Sequence, residues 1–126
     1  MNRSSETTAE IKPTIAPEDF FAVDMRVGRI VAAPMAQGTR FPCRRMNIDL
    51  GPLGTRTSIG QVAMIPEKEL VDSLVIVCAN LGARQMGKHR SEVLILGTPH
   101  PDSPPDQAQA IPLRPAASAM PGDFVF

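Results

Sequence analysis

The chain has 126 residues, of which 43% are hydrophobic, with no Trp or Tyr, two Cys, and 13 basic residues balancing 13 acidic ones. This length fits one domain with a single core, and the longest apolar run, residues 74–79, is far shorter than the roughly 20 residues of a membrane span. With no secretory leader at the start and no C-x-x-C pair, the sequence predicts a cytoplasmic protein without a membrane segment or disulfide framework.

The first half of the chain predicts a lead-in, a helical turn and three strands. Pro17 and the acids after it suit a first helical turn. Gly28 lies in an apolar, β-branched run and suggests a bulge or bend. Strict alternation places Met46, Ile48 and Leu50 on the inner side of a half-buried strand. The predicted elements are a flexible lead-in over 1–16, a helix over 17–21, and strands over 25–33, 45–50 and 55–62.

The second half predicts a short helix, two strands and a proline-rich extension. Pro66 again precedes acidic residues and suits a helix start. Seven of the 13 prolines fall in residues 99–121, which excludes a helix or a central strand there. The predicted elements are a helix over 66–70, a central strand over 74–79, a basic loop over 80–90, a strand over 91–96, an edge strand at 111–113 and a packed apolar end at 124–126.

This order of elements predicts the fold class. Three strands, a short helix and two more strands are the order of the all-β, five-stranded OB-fold, a Greek-key barrel with a helix between strands three and four. We therefore divide the chain into a lead-in over residues 1–16 and one OB-fold domain over 17–126 with a proline-rich C-terminal extension. Such barrels bind ligands on the face of strands two and three and through the loops flanking it.

Charge is segregated along the chain although the net charge is zero. A first basic stretch, residues 26–56, holds six Arg and one acid, and a second, residues 84–90, holds three basic residues, His89 and no acid. In an OB-fold both stretches fall where the fold binds, which favours phosphate and nucleic acid. The alternative is that these cations only protect strand edges from aggregation. The candidates for phosphate binding are Arg40, Arg44, Arg45, Arg56, Arg84, Lys88 and Arg90.

Four segments carry a family resemblance: residues 20–31, 48–51, 77–86 and 91–97. The first three resemble the tRNA-binding domain appended to bacterial methionyl-tRNA synthetases, and the fourth is similar to the stand-alone, CsaA-like members. The resemblance implies a homodimeric OB-fold that binds tRNA through the basic loop after strand four. It also implies, for the CsaA-like members, an export-related chaperone that holds unfolded preproteins in an apolar groove. By position, the residues that match the tRNA-binding motif are Asn80, Arg84, Met86 and Ser91.

Several of these residues have structural alternatives. Asn80 can pin the loop through side-chain hydrogen bonds, and Met86 can fill a gap in packing. Glu92 departs from the synthetase-type pattern and places an anion beside the expected phosphate site, which predicts weaker RNA binding. Phe41 is the single aromatic residue in a predicted binding loop. Recognition of structured RNA by shape and backbone suits this composition better than reading of a single strand by base stacking.

No pattern in the chain predicts catalysis. The histidines and cysteines, at positions 89, 100, 43 and 78, match no zinc-ligand spacing. Neither a phosphate-binding P-loop nor a dinucleotide fingerprint occurs, and Ser58 and Ser91 lack a recognisable triad. The sequence therefore predicts a non-catalytic protein without metal or cofactor, which binds tRNA or another structured RNA, or alternatively unfolded preproteins.

Overall fold

The computed structural model describes residues 8–126, of which residues 8–16 form neither helix nor strand. Two short α-helices, α1 (Pro17–Phe21) and α2 (Glu67–Leu70), and one 3-10 turn (Gly51–Leu53) are present in this part of the chain. None of its helices has the length and apolar character needed to cross a membrane. The strands are β1 (Met25–Ala32), β2 (Arg44–Asp49), β3 (Thr55–Gly60), β4 (Leu74–Cys78), β5 (Arg84–Met86), β6 (His89–Ser91), β7 (Leu94–Ile95), β8 (Gly97–Pro99) and β9 (Ala110–Pro112).

Five strands form a nearly closed antiparallel barrel. Their order is β3-β2-β1-β4-β7, with α2 between the third and fourth strands along the chain. Backbone hydrogen bonds join the two edges, because the Thr57 carbonyl accepts from the amides of Glu92 at 2.8 Å and Val93 at 3.3 Å. This architecture confirms the predicted OB-fold-like barrel with its two short helices.

The core follows the alternation read from the sequence. Met46, Ile48 and Leu50 are at most 1% exposed, so their predicted inward orientation is confirmed. Each such side chain contributes roughly 1.5–3 kcal/mol through burial of apolar surface. The other buried members of this cluster come from β1, β4, β7 and the segments beside them: Ile30, Ala33, Val62, Leu70, Val75, Val77, Val93 and Ile95.

Gly28 has a different role from the predicted bulge. The shift in strand pairing falls between Ile30 and Ala32, whereas Gly28 pairs regularly with Val75. A Cβ at residue 28 would overlap the Ile48 side chain and lie 2.8 Å from Leu50 Cδ2. The glycine therefore allows β1 to pass close to β2, and the irregularity in pairing lies further along β1.

The predicted basic loop over 80–90 contains a β-hairpin. Strands β5 and β6 pair with Met86 opposite His89, so Gly87 and Lys88 form a two-residue turn. Gly87 has a φ of +60°, which is typical of such tight turns and unfavourable for other residues. A second small pair of strands, β8 with β9, encloses residues 100–109, the first part of the proline-rich segment.

The C-terminal segment pairs with the first half of β1. The amide of Gly122 donates to the Val27 carbonyl at 2.8 Å, and the amide of Val125 donates to the Met25 carbonyl at 3.0 Å. The backbone is therefore held by the barrel, whereas the side chains of Phe124 and Phe126 remain 70% and 94% exposed. Arg26 places its guanidinium carbon 4.0 Å from the Phe124 ring centroid, which fixes that ring on the surface.

Candidate nucleic-acid interface

The structure brings the loop between β1 and β2 against the β5–β6 hairpin. Arg45 Nη1 donates to His89 Nδ1 at 3.1 Å, which leaves the proton of the ring on Nε2 to be donated to the Gln37 carbonyl at 2.8 Å. Gly87 lies so close to Gly38 that an added Cβ would be 2.7 Å from its carbonyl oxygen. The two basic stretches, distant in sequence, therefore meet at one side of the barrel.

A small apolar cluster supports this junction. Ala36, Cys43 and Ile59 are buried together, and Met86 of the hairpin packs against them. The packing role considered for Met86 is therefore observed. Burial raises the pKa of the Cys43 thiol above its ordinary value, against a smaller lowering by its hydrogen bond with Thr39. Cys43 thus remains a protonated, apolar member of this cluster at neutral pH rather than a nucleophile.

Five cations belong to β2 and to the two segments that meet at this junction, and we call them the basic rim. Arg40, Arg84, Lys88 and Arg90 are exposed, and Arg45 is half-buried. Arg90 is on the outer face of the hairpin opposite Gln85, whereas Arg84 shares the inner face with Met86 at the hairpin base. In residues 8–126 the ion pair found joins Arg26 to Asp24, so the described acids leave the rim cations unpaired. The guanidinium and ammonium groups of the four exposed cations are open to an anionic ligand.

Arg44 does not join the basic rim, and its surroundings favour a structural role over the predicted phosphate contact. Its side chain is only 8% exposed. Arg44 Nη1 donates to the Ala33 carbonyl at 2.9 Å and Nε donates to the Ile65 carbonyl at 3.2 Å. The guanidinium therefore ties the end of β1 to the segment before α2 and cannot reach a phosphate outside.

Arg56 and Ser91 are also separated from the rim. Arg56 is three residues from Ile59 on β3, hence on the other face of the strand, and its Nη1 turns back to the Thr55 carbonyl at 3.4 Å. Ser91 is 8% exposed, accepts from the Ile59 amide at 3.0 Å and donates to the Val93 carbonyl at 3.3 Å. Ser91 therefore has a structural role, whereas Arg56 is half-buried away from the rim, and its RNA contact stays a prediction.

Asn80 pins the first helix to the barrel. Its Oδ1 accepts from the Asp24 amide at 2.8 Å, and its Nδ2 donates to the Ala22 carbonyl at 2.8 Å. Both ends of the side-chain amide are thus used by the segment between α1 and β1. The pinning alternative considered for Asn80 is what the structure contains, although the partner is the α1 segment rather than the basic loop.

Glu92 helps to close the barrel. Its Oε1 accepts from the Thr57 amide at 3.0 Å while its own amide donates to the Thr57 carbonyl at 2.8 Å. The carboxylate therefore completes the pairing between β3 and the strand end before β7, and it keeps a negative charge two residues from Arg90. A charge-assisted hydrogen bond of this kind contributes about 1.5–3 kcal/mol.

The variant Glu92→Gln separates these two effects. We expect the free energy of unfolding to fall by about 1 kcal/mol, because a neutral acceptor replaces a charged one. Affinity for RNA is expected to rise about twofold, since one screened repulsion is removed from beside the rim. Urea denaturation and an RNA titration measure the two quantities, and a fall in RNA affinity would contradict the repulsive role of Glu92.

A pocket of about 240 Å³ opens beside the rim, between the β1–β2 loop and the hairpin turn. Sequence reasoning singled out Phe41 in this region but did not predict a pocket, because its walls come from separate segments. Thr39 Oγ1 donates to the Phe41 carbonyl at 2.6 Å and shapes the wall. The lining residues are Thr39, Arg40, Phe41, Cys43, Gln61, Met86 and Gly87.

Comparison with known proteins identifies relatives in sequence. The chain is 35% identical over 112 residues to methionine–tRNA ligase of Thiobacillus denitrificans, covering 86% of this chain and 16% of the ligase. The match to the Cupriavidus metallidurans ligase is 34% over 114 residues, with 89% and 16% covered. The chain thus spans only about 16% of these curated relatives. No family model matches the chain.

Solved structures complete the comparison. The CsaA chaperone protein of Picrophilus torridus superposes with a TM-score of 0.81 at 27% identity, over 90% of this chain and all of that one. Chaperone CsaA of Bacillus anthracis gives 0.79 at 25% identity, with the same coverage. The chain is therefore similar to CsaA chaperone structures over nearly its whole length and to one segment of methionine–tRNA ligases. The CsaA-like resemblance drawn from four short segments of sequence is thereby confirmed.

Proposed function

We propose that this CsaA-like protein is a non-catalytic, cytoplasmic binder of tRNA or another structured RNA. The observation that carries the proposal is the junction at His89, which joins Arg45 of β2 and the β1–β2 loop to the β5–β6 hairpin. Five cations without described acidic partners form a site for a polyanion on a chain of zero net charge. Its relation to methionine–tRNA ligases supports tRNA as the polyanion.

The composition of the rim favours phosphate contacts over sequence reading. Arg and Lys bind backbone phosphates by charge-assisted hydrogen bonds, which position RNA without specifying it. A single aromatic residue, Phe41, lies at the rim, so stacking of many bases in succession is unavailable. Structured RNA, recognised by shape and backbone, matches these residues.

A tRNA titration at two salt concentrations tests the proposal. If the five rim cations each neutralise one phosphate, affinity is expected to fall roughly 100- to 500-fold between 50 and 200 mM salt. Fluorescence anisotropy of labelled bulk tRNA measures both dissociation constants. Absence of binding at 50 mM salt would contradict the RNA function.

The second candidate function is capture of unfolded preproteins for export. Two observations favour it: the solved CsaA structures are described as chaperones, and the pocket beside the rim has apolar side chains in its wall. Binding of an apolar segment is nearly independent of salt and shows a negative heat-capacity change. An unfolded preprotein titrated beside the tRNA, under the same two salt conditions, therefore distinguishes the two functions.

We also propose that two copies associate through the apolar side chains near the chain ends. The large apolar residues exposed there are Phe20, Phe21, Val23, Leu81, Met120, Phe124 and Phe126. Asn80 and the pairing of the C-terminal segment with β1 hold these segments next to one another. Exposed apolar side chains grouped in this way are typical of an interaction surface, and isologous pairing of the surface with itself would give a two-fold dimer.

The variant F124D/F126D tests the dimer. Four charges buried across the two-fold interface are expected to convert the protein to monomer at micromolar concentration. Sedimentation velocity measures the mass, with M64D/L113D as a control that adds two Asp at exposed apolar positions of other segments. A monomeric wild type at tens of micromolar would refute the dimer.

A further inference from the structure

The pocket beside the basic rim has the size and chemistry of a site for one flat group. At about 240 Å³ it is below the roughly 300–1,000 Å³ of pockets that hold drug-sized ligands. Phe41, Cys43 and Met86 supply apolar walls, and Gln61 supplies a side-chain amide that both donates and accepts hydrogen bonds. The pocket is therefore suited to a small ring with polar edges.

Phe41 is placed differently from the other phenylalanines of the chain. The chain has five Phe and no other aromatic residue, and the remaining four lie at the chain ends: Phe20, Phe21, Phe124 and Phe126. Phe41 alone is in a binding loop, half-buried in the pocket wall. The Arg40 guanidinium carbon lies 5.0 Å from its ring centroid. An aromatic ring beside an Arg is the arrangement on which nucleic-acid bases stack.

The charges beside the pocket indicate that the flat group of the ligand is attached to an anion. Arg40 is itself part of the lining, and Lys88 follows Gly87 of the lining directly in sequence. Both are exposed, and neither has a described acidic partner. An occupant that places a flat group against Phe41 therefore has two cations available for an adjoining phosphate. An apolar peptide side chain would make no use of them.

We propose that this pocket receives one unpaired nucleobase of the bound RNA, stacked on Phe41, while the flanking phosphates contact Arg40 and Lys88. The inference rests on the proposed RNA function and adds to it a preference for structured RNA that has an unpaired base. Gln61 contacts the base edge in either hydrogen-bonding sense, so the site accepts different bases. The rim then holds the paired backbone and the pocket holds the extruded base.

Three RNA hairpins of one sequence test the proposal with the wild-type protein. One carries a single bulged adenosine, one carries an abasic nucleotide at that position, and one is fully paired. The first two have the same phosphates, so they differ only in the base. We expect the bulged hairpin to bind roughly five- to a hundredfold more tightly than the abasic one, in keeping with the loss on removing one stacked base.

The variant Phe41→Ala assigns the preference to the pocket. It is expected to bind the bulged and abasic hairpins equally, with the affinity that the wild type has for the abasic hairpin. Leu113→Ala, which removes an exposed apolar side chain away from the pocket and from the proposed association surface, is the control and is expected to keep the preference. Circular dichroism of both variants checks that the barrel is folded.

The outcomes separate this inference from the proposed function. Salt-sensitive binding of all three hairpins with no preference for the bulge would overturn the base pocket and leave the RNA function standing. A preference that survives in Phe41→Ala would likewise overturn it, since the base would then bind elsewhere. Binding of an apolar peptide that Phe41→Ala abolishes, without any bulge preference, would assign the pocket to peptide. No binding of any hairpin or of tRNA would overturn both proposals.

Discussion

Replacing Arg84, Lys88 and Arg90 by Ala together is expected to weaken tRNA binding on the order of a thousandfold at 50 mM salt and about 30- to 80-fold at 200 mM. Each cation that neutralises a phosphate releases counterions, and it adds about 0.7–0.9 to the slope of log affinity against log salt. The triple variant therefore loses roughly 2–3 units of slope. Its preprotein binding is expected to stay unchanged if that binding is apolar. Anisotropy titrations at several salt concentrations measure the slope.

The control for this variant removes equal charge from other parts of the chain. Lys12, Lys68 and Arg114 are exposed and belong to neither basic stretch, so K12A/K68A/R114A also lowers the net charge by three. We expect its salt slope to match the wild type. If both triple variants lost affinity equally, net charge alone would explain binding and the rim would have no special role. An unchanged affinity in the hairpin triple variant would place the RNA site elsewhere.

The barrel could be predicted from the sequence because its core residues follow local patterns of apolar and polar residues. Alternation gave the inward side of β2, proline with acids gave both helix starts, and the order of elements gave the fold. The β5–β6 hairpin was missed because it lies on the surface and lacks an apolar alternation. Its tight turn at Gly87 is recognisable only once the pairing of Met86 with His89 is known.

The site was harder to predict because its members meet through contacts distant in sequence. His89 bridges Arg45 and Gln37 across 44 and 52 residues, and no local pattern indicates that link. Ser91 resembles a motif residue in sequence, yet its hydroxyl is used in closing the barrel. Arg44 is the exception, since it has the same parity along β2 as Met46, and that alternation already implied an inward side chain. The charge of Arg44 obscured this implication.

Arg44→Ala and Arg45→Ala form a matched pair, because each removes one Arg from the same strand. We expect Arg44→Ala to lower the free energy of unfolding by about 2–4 kcal/mol, since the carbonyls of Ala33 and Ile65 lose a charged donor. Its RNA salt slope is expected to stay at the wild-type value. For Arg45→Ala we expect the RNA salt slope to be smaller by about 0.7–0.9. Its free energy of unfolding is expected to fall by only about 1 kcal/mol.

Urea denaturation at one fixed protein concentration measures the stabilities, because association of two copies would add a concentration-dependent contribution. The salt slopes come from tRNA titrations at a temperature where both variants are folded. If Arg44→Ala kept full stability and lost slope, the guanidinium would have to leave its two carbonyls in solution and bind phosphate. The two adjacent arginines point to opposite faces of β2. Their contrast thus tests whether the inward arginine stabilises the fold while the outward one binds RNA.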